Sequence, residues 1–281
     1  MQAEPSGVLV RAVLDDGAVR LILAEARAPS EHTRVVHGLG RDAARLGAEA
    51  TVAAALNAAH VKGEEKLTLQ LQGEDPRCSV YADVTAAGEL RARVTPADLR
   101  VGSPARLRGV LVASKSVGPR QLYRGATEIA DQTVEQALGV HLDTSMQVQD
   151  ILRIGVTQED DGEISQAGGL LLERLPSERG LPSLSALEFA ERYDWVRHAD
   201  IDQLLTQLAF GSLGDRPLTV LESKPIVWRC RCSRERVRAA LTALGPETLE
   251  EMAEEDGGAE VTCDFCNTAH HIGASELRTL R

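Results

Sequence analysis

Aromatic residues are scarce in this chain: two Trp, three Tyr and three Phe among 281 residues. A core of leucine and β-branched side chains needs no aromatics, yet their distribution is uneven. Only Tyr81 and Tyr123 precede residue 189, whereas Phe189, Tyr193, Trp195, Phe210, Trp228 and Phe265 follow. Residues 180–228 therefore concentrate large apolar groups that could be exposed on demand. Basic residues are also in deficit. The formal net charge of −11 argues against a general nucleic-acid binder, which needs a basic footprint for phosphate. No apolar run approaches the roughly 20 residues of a spanning helix, so no membrane partner is expected. The opening Met1–Gly7 has no basic n-region or apolar h-region, so no signal peptide is expected. No Gly-x-x-x-x-Gly-Lys-Ser/Thr phosphate loop occurs, and no serine, histidine and carboxylate set stands out. The chain does not read as an enzyme. Cysteine is rare as well, and with no export signal a cytoplasmic, reducing compartment is expected, where paired cysteines favour metal.

Four of the five cysteines, however, sit in two tight pairs. Cys230 and Cys232 form a Cys-x-Cys; thirty residues later Cys263 and Cys266 form a Cys-x-x-Cys. Two such pairs complete a tetrahedral four-sulfur zinc site if the intervening segment folds back. The same spacing lets each pair close on itself as a disulfide, so a zinc site that doubles as a redox switch is one reading. Arg229, Arg231, Arg234, Arg236 and Arg238 crowd the first pair, and positive charge favours thiolates. A solvated basic helix face explains the same arginines without any chemistry. A module of this size rarely supports its own core. A structural zinc contributes on the order of 10–16 kcal/mol in small fingers, against about 5–15 kcal/mol for a whole domain. Losing the metal should then unfold it.

The rest of the chain reads as α+β. Strands are expected at Val8–Leu14 and Ala18–Ala24, joined at Asp15-Asp16-Gly17. Asp42 is a candidate cap for an alanine-rich helix from Ala43 to about His60. Leu67, Leu69 and Leu71 alternate with polar residues, as in a half-buried strand. Further strands are expected at Ser79–Val84, Leu90–Val94, Leu107–Ala113, Gln121–Ala126, Ile151–Thr157 and Gly168–Leu172, with a close backbone approach at Gly168-Gly169. A second helix is expected over Ile129–Leu138. Composition shifts at Pro176, and short amphipathic segments follow: Phe189, Tyr193, Val196, then Ile201, Leu204, Leu205, Leu208. Such short helices depend on what they pack against. Near the end, Ser233 should cap a helix reaching Leu244, Thr248 with Glu251 a second, and Val261 leads into the Cys263–Cys266 knuckle. The expected architecture is a large antiparallel-sheet core domain with helices (1–177), a helical linker (178–227) and a small C-terminal zinc-binding domain (228–281).

Three stretches, Pro225–Val237 around Cys-Arg-Cys, Glu254–Gly258, and Val261–Asn267 around Cys-Asp-Phe-Cys, resemble the 33 kDa chaperonin family. Leu67–Gly73 and Gly168–Pro176 resemble further family motifs in the expected order, so the resemblance spans essentially the whole chain. It implies a redox-regulated, ATP-independent holdase chaperone, inactive while reduced and holding one zinc ion on Cys230, Cys232, Cys263 and Cys266. Oxidative stress would form the Cys230–Cys232 and Cys263–Cys266 disulfides and release zinc. The switch module and linker would then unfold, and the protein, often a homodimer when oxidised, would hold unfolding client proteins.

Two rival readings start from the same residues. One is a static zinc module binding nucleic acid or protein, which the local arginines invite and the acidic total opposes. The other is a thiol–disulfide oxidoreductase using Cys263-Asp-Phe-Cys266, opposed by a second pair competing for metal. His270 and His271 read as surface residues, because four sulfurs already fill a tetrahedron. Cys78 reads as a lone structural thiol, and the acidic run Glu247–Asp256 as a solvated helix face.

Overall fold

The computed structural model describes residues 5–14, 19–146, 150–175, 212–213 and 216–280. Expected features at Asp15–Gly17 and over 176–211, including both amphipathic segments, lie outside the described residues. The chain divides into two compact units, Met1–Arg229 and Cys230–Arg281.

In the first unit, β1 (Ser6–Leu14) and β2 (Val19–Glu25) pair as a hairpin, with Leu14 opposite Val19. Helices α1 (Arg27–His37) and α2 (Arg41–Asn57) follow. Next come β3 (Glu65–Asp75), β4 (Arg77–Thr85), β5 (Glu89–Thr95), β6 (Leu107–Val117) and β7 (Arg120–Gln132). Helix α3 (Val134–His141) leads to β8 (Asp150–Gln158) and β9 (Ile164–Arg174). The short β10 (Ser212–Leu213) precedes β11 (Arg216–Trp228). The strands form one sheet in the order β7-β6-β3-β4-β5-β11-β1-β2-β9-β8, with β10 on β11. Pairing is antiparallel except for β11 with β5, which run parallel over Val227–Glu89 and Trp228–Leu90.

Helix α2 explains why so few aromatics are needed. Thirteen of its seventeen residues are buried, seven of them alanine. It packs against β2, β3, β4, β5, β8 and β9 of the curled sheet. Small side chains let helix and strands approach closely. Gly169 shows how closely: a Cβ there would lie 2.7 Å from Val52 Cγ1 and 2.8 Å from the Arg153 carbonyl. The close approach expected at these glycines is present.

Several local expectations are corrected. Asp42 lies inside the first turn of α2, behind Gly40 as the cap, and its carboxylate accepts the Val101 and Gly102 amides at 3.0 and 3.2 Å. Strand β7 runs to Gln132, so the helix expected from Ile129 starts only at Val134. A capping box of Thr133 with Gln136 fixes that start. Helix α1 was not expected, because its buried face is Pro29, Ser30 and Thr33, which shows no apolar periodicity. Residues 216–227, expected within the helical linker, and Trp228, expected to open the C-terminal domain, form the interior strand β11.

The second unit holds α4 (Arg234–Thr242), α5 (Pro246–Glu255), β12 (Gly258–Thr262), β13 (Ala269–Gly273) and the short α6 (Ala274–Leu277). Helix α5 starts at Pro246 rather than at the Thr248 box, because proline at the first helical position is already preset for the helix. Val237, Leu241, Leu249, Ala253, Ile272, Leu277 and Leu280 form its small core.

Candidate metal centre

Cys230 and Cys232 lie on the irregular segment between β11 and α4. Ser233 caps that helix by accepting the Arg236 amide at 3.3 Å, and Arg236 Nη1 donates back to the Arg231 carbonyl at 2.8 Å. The second pair sits in the turn between β12 and β13, which pair from Gly258–Gly273 to Thr262–Ala269. There the Cys263 amide donates to the Thr268 carbonyl at 3.0 Å, and the Asn267 amide to the Cys263 carbonyl at 2.9 Å. Asn267 adopts a left-handed φ of 54°, a conformation asparagine tolerates better than most residues. The small core, with Leu249 and Leu277 fully buried, folds the intervening helices back. Glu276 then ties α6 to α4 through Arg234 and Arg238.

The result is a compact sulfur cluster. All four Sγ atoms lie within 4.8 Å of one another, with Cys230–Cys263 at 3.6 Å and Cys232–Cys266 at 3.5 Å. A tetrahedral ion with metal–sulfur bonds of about 2.3 Å sets its ligands about 3.8 Å apart, so the four sulfurs fit such an ion. A disulfide needs about 2.05 Å, and all five cysteines are free thiols. The four are partly exposed, whereas Cys78 is buried in β4.

The electrostatics differ from the arginine-driven picture. Burial pushes the Cys230 and Cys232 thiols up, and hydrogen bonding and charge repulsion among neighbouring sulfurs drive Cys232 furthest. Burial opposes ionisation of Cys266 too, but hydrogen bonds from Thr268, Cys232 and Cys230 bring it down to about 7. Four sulfurs this close cannot all ionise unaided; a bound cation would supply the missing charge. Four of the five arginines are engaged elsewhere: Arg229 with Glu89 at 2.6 Å, Arg234 and Arg238 with Glu276, Arg236 with a carbonyl.

Residues set aside in the sequence stay outside the cluster. His271 pairs with Glu260 at 3.1 Å on the surface. Glu247, Glu251, Glu254, Glu255 and Asp256 are exposed. The structure adds Thr268, Glu276 and Arg236, none of which carries a motif of its own. The only sequence signal for Thr268 is its place two residues after a ligand-spaced cysteine. Among the described residues no helix is long and apolar enough to cross a membrane.

A family model described as Hsp33 protein matches residues 7–273. The chain belongs to the Hsp33 family. Curated relatives named 33 kDa chaperonin include one from Syntrophotalea carbinolica, 31% identical, with 97% of this chain and 98% of the relative aligned. Another, from Bacillus subtilis, is 30% identical, with 97% of each chain covered. A crystal structure of a 33 kDa chaperonin (heat shock protein 33 homolog) from Thermotoga maritima superposes with a TM-score of 0.79 at 23% identity, covering 98% of this chain and 97% of that one. That likeness shows a shared fold. Membership of the Hsp33 family supports a chaperone role for this chain.

Proposed function

We propose that the protein is a redox-regulated, ATP-independent holdase whose Cys230, Cys232, Cys263 and Cys266 hold one zinc ion in the reduced, inactive form. The supporting observation is the cluster itself: four free, partly exposed thiols within 4.8 Å, spaced as a tetrahedral ion requires. Zinc would supply charge compensation and cohesion to the Cys230–Arg281 unit. An oxidant such as peroxide would then reach the sulfurs. Each disulfide, Cys230–Cys232 and Cys263–Cys266, joins two thiolates and gives two electrons to one peroxide. Its O–O bond breaks and, with two protons, leaves as two waters. Cys230, Cys232, Cys263 and Cys266 would then offer no thiolate to a zinc ion, and the unit would lose the cohesion that such an ion supplies.

Loss of structure would extend to the linker preceding Arg216, uncovering apolar groups that hold unfolding client proteins in the cytoplasm, with a homodimer in the oxidised state. Strand β11 is interior to the sheet and stays. The test is a peroxide titration of the zinc-loaded protein, reading zinc release with a chromogenic chelator beside light scattering from an aggregating client. Zinc release and suppression of scattering should rise together. Zinc leaving without suppression would overturn the holdase reading.

A further inference from the structure

Thr268 touches both cysteines of the second pair. Its carbonyl accepts the Cys263 amide at 3.0 Å, and its hydroxyl lies 3.2 Å from Cys266 Sγ. The left-handed turn at Asn267 swings residue 268 back over the knuckle to make both contacts possible. A hydroxyl can accept from a thiol or donate to a thiolate. Toward a metal-bound thiolate it donates, and a hydrogen bond to an ionised partner is the stronger kind. Cys263 Sγ faces the Phe265 amide at a longer 3.5 Å. Among the described residues, Cys266 is the cysteine of the cluster whose sulfur meets a side-chain hydroxyl.

We propose that Thr268 is a positioning residue of the centre: its hydroxyl holds the Cys266 sulfur as a ligand and away from Cys263. One side chain would thereby set both how tightly the centre holds zinc and how readily the second pair oxidises. The proposal rests on reading the cluster as a zinc-bound redox switch. To form the Cys263–Cys266 bond, the Cys266 sulfur must come to about 2.05 Å from its partner and leave the hydroxyl. The oxidation balances as above, with peroxide taking the two electrons.

The test compares full-length Thr268→Val, Thr268→Ser and wild type. Valine keeps the branched shape and removes the hydroxyl; serine keeps the hydroxyl and removes the methyl. Zinc affinity is read by chelator competition, oxidation by the rate of thiol loss in peroxide, and site formation by the thiolate-to-cobalt absorption at saturating cobalt. T268V should bind zinc about 10–100-fold more weakly, the usual effect of losing an outer partner of a ligand, and lose thiols several-fold faster. T268S should stay within about twofold of wild type. T268V within twofold on both measures, or T268S as impaired as T268V, overturns the proposal. Should T268V fail to form the cobalt band, Thr268→Ala against T268S decides by the same criterion. Wild type binding no zinc, or Cys263→Ser binding it as tightly as wild type, overturns the switch reading itself and Thr268's role with it.

Discussion

Two glutamates of the first unit, Glu173 buried and Glu49 half-buried, titrate in opposite senses, and each gives a prediction. Glu173 is 2% exposed. Burial alone would raise its pKa, but hydrogen bonds and charge from His60 at 2.8 Å and Arg20 at 2.5 Å hold it below the usual carboxylate range. A carboxyl lowered in the folded state stabilises it above the unfolded pKa of about 4.3, and that contribution fades as pH falls through the folded value. Glu173→Gln should cost about 3 kcal/mol at pH 7, as breaking a buried pair does. It should also flatten the acid limb of urea stability curves below about pH 4. Equal acid slopes in variant and wild type would sink this. Glu49 is the reverse. Its Oε2 is buried without a partner among the described residues, and burial, opposed by Arg45 and aided by Glu135, pushes its pKa up to about 7. The folded state favours the neutral acid, so its stabilising effect is full below the unfolded pKa and is lost as pH rises through about 7. Glu49→Gln should therefore stabilise the unit by about 2 kcal/mol at pH 8 and leave it unchanged at pH 4. Urea unfolding at the two pH values separates these outcomes.

At the scale of elements, the contact between α2 and β9 decides the packing of the sheet on its central helix. A methyl on Gly169 would meet Val52 Cγ1, Leu56 Cδ1 and, least yielding, the Arg153 carbonyl of the neighbouring strand. Gly169→Ala should destabilise by about 2 kcal/mol or more, within the usual cost of overpacking, seen as a lower thermal midpoint of the first unit. A midpoint equal to wild type would mean that β8 moves freely away. This site was readable from the Gly168-Gly169 pair inside an apolar strand, as was β3 from Leu67, Leu69 and Leu71, all buried. Such elements announce themselves because one face is apolar. Helix α1 does not, because Thr33 is buried through hydrogen bonds: its hydroxyl donates to the Pro29 carbonyl at 3.0 Å and accepts from Trp228 Nε1 at 3.2 Å. A partner 195 residues away cannot be read from a local window. Strand β11 hid for a similar reason, since its place between β1 and β5 is set by long-range pairing. The sulfur cluster was legible because spacing alone nearly determines it. Thr268, Glu276 and Arg236 were not, because their partners are chosen by the fold.

At the scale of the whole molecule, the loss of a metal held by the four cysteines would stop at the edge of the second unit. The second unit has seven buried core residues over Cys230–Arg281, whereas the first is built on one continuous sheet. The chain leaves that sheet at a firmly held point. The Trp228 amide donates to the Pro5 carbonyl at 2.8 Å, and the Arg229 amide to the Leu90 carbonyl at 2.9 Å. Trp228 is 7% exposed, with its ring against His32 at 4.3 Å. Nothing in those contacts depends on the four sulfurs, while the seven-residue core must offset the ordering entropy of its whole unit, at about 1–2 kcal/mol per residue for backbone alone. Chelation of the full-length protein should therefore abolish amide-exchange protection across α4, α5, β12 and β13 and leave it intact in β1, β5 and the Leu218–Trp228 part of β11. Hydrogen exchange with and without chelator measures this directly. Protection retained in α4 and α5 after complete demetallation would show that the second unit stands without its ion. Protection lost from β11 as well would instead place the breaking point inside the sheet, with β1 and β5 deprived of the strand between them.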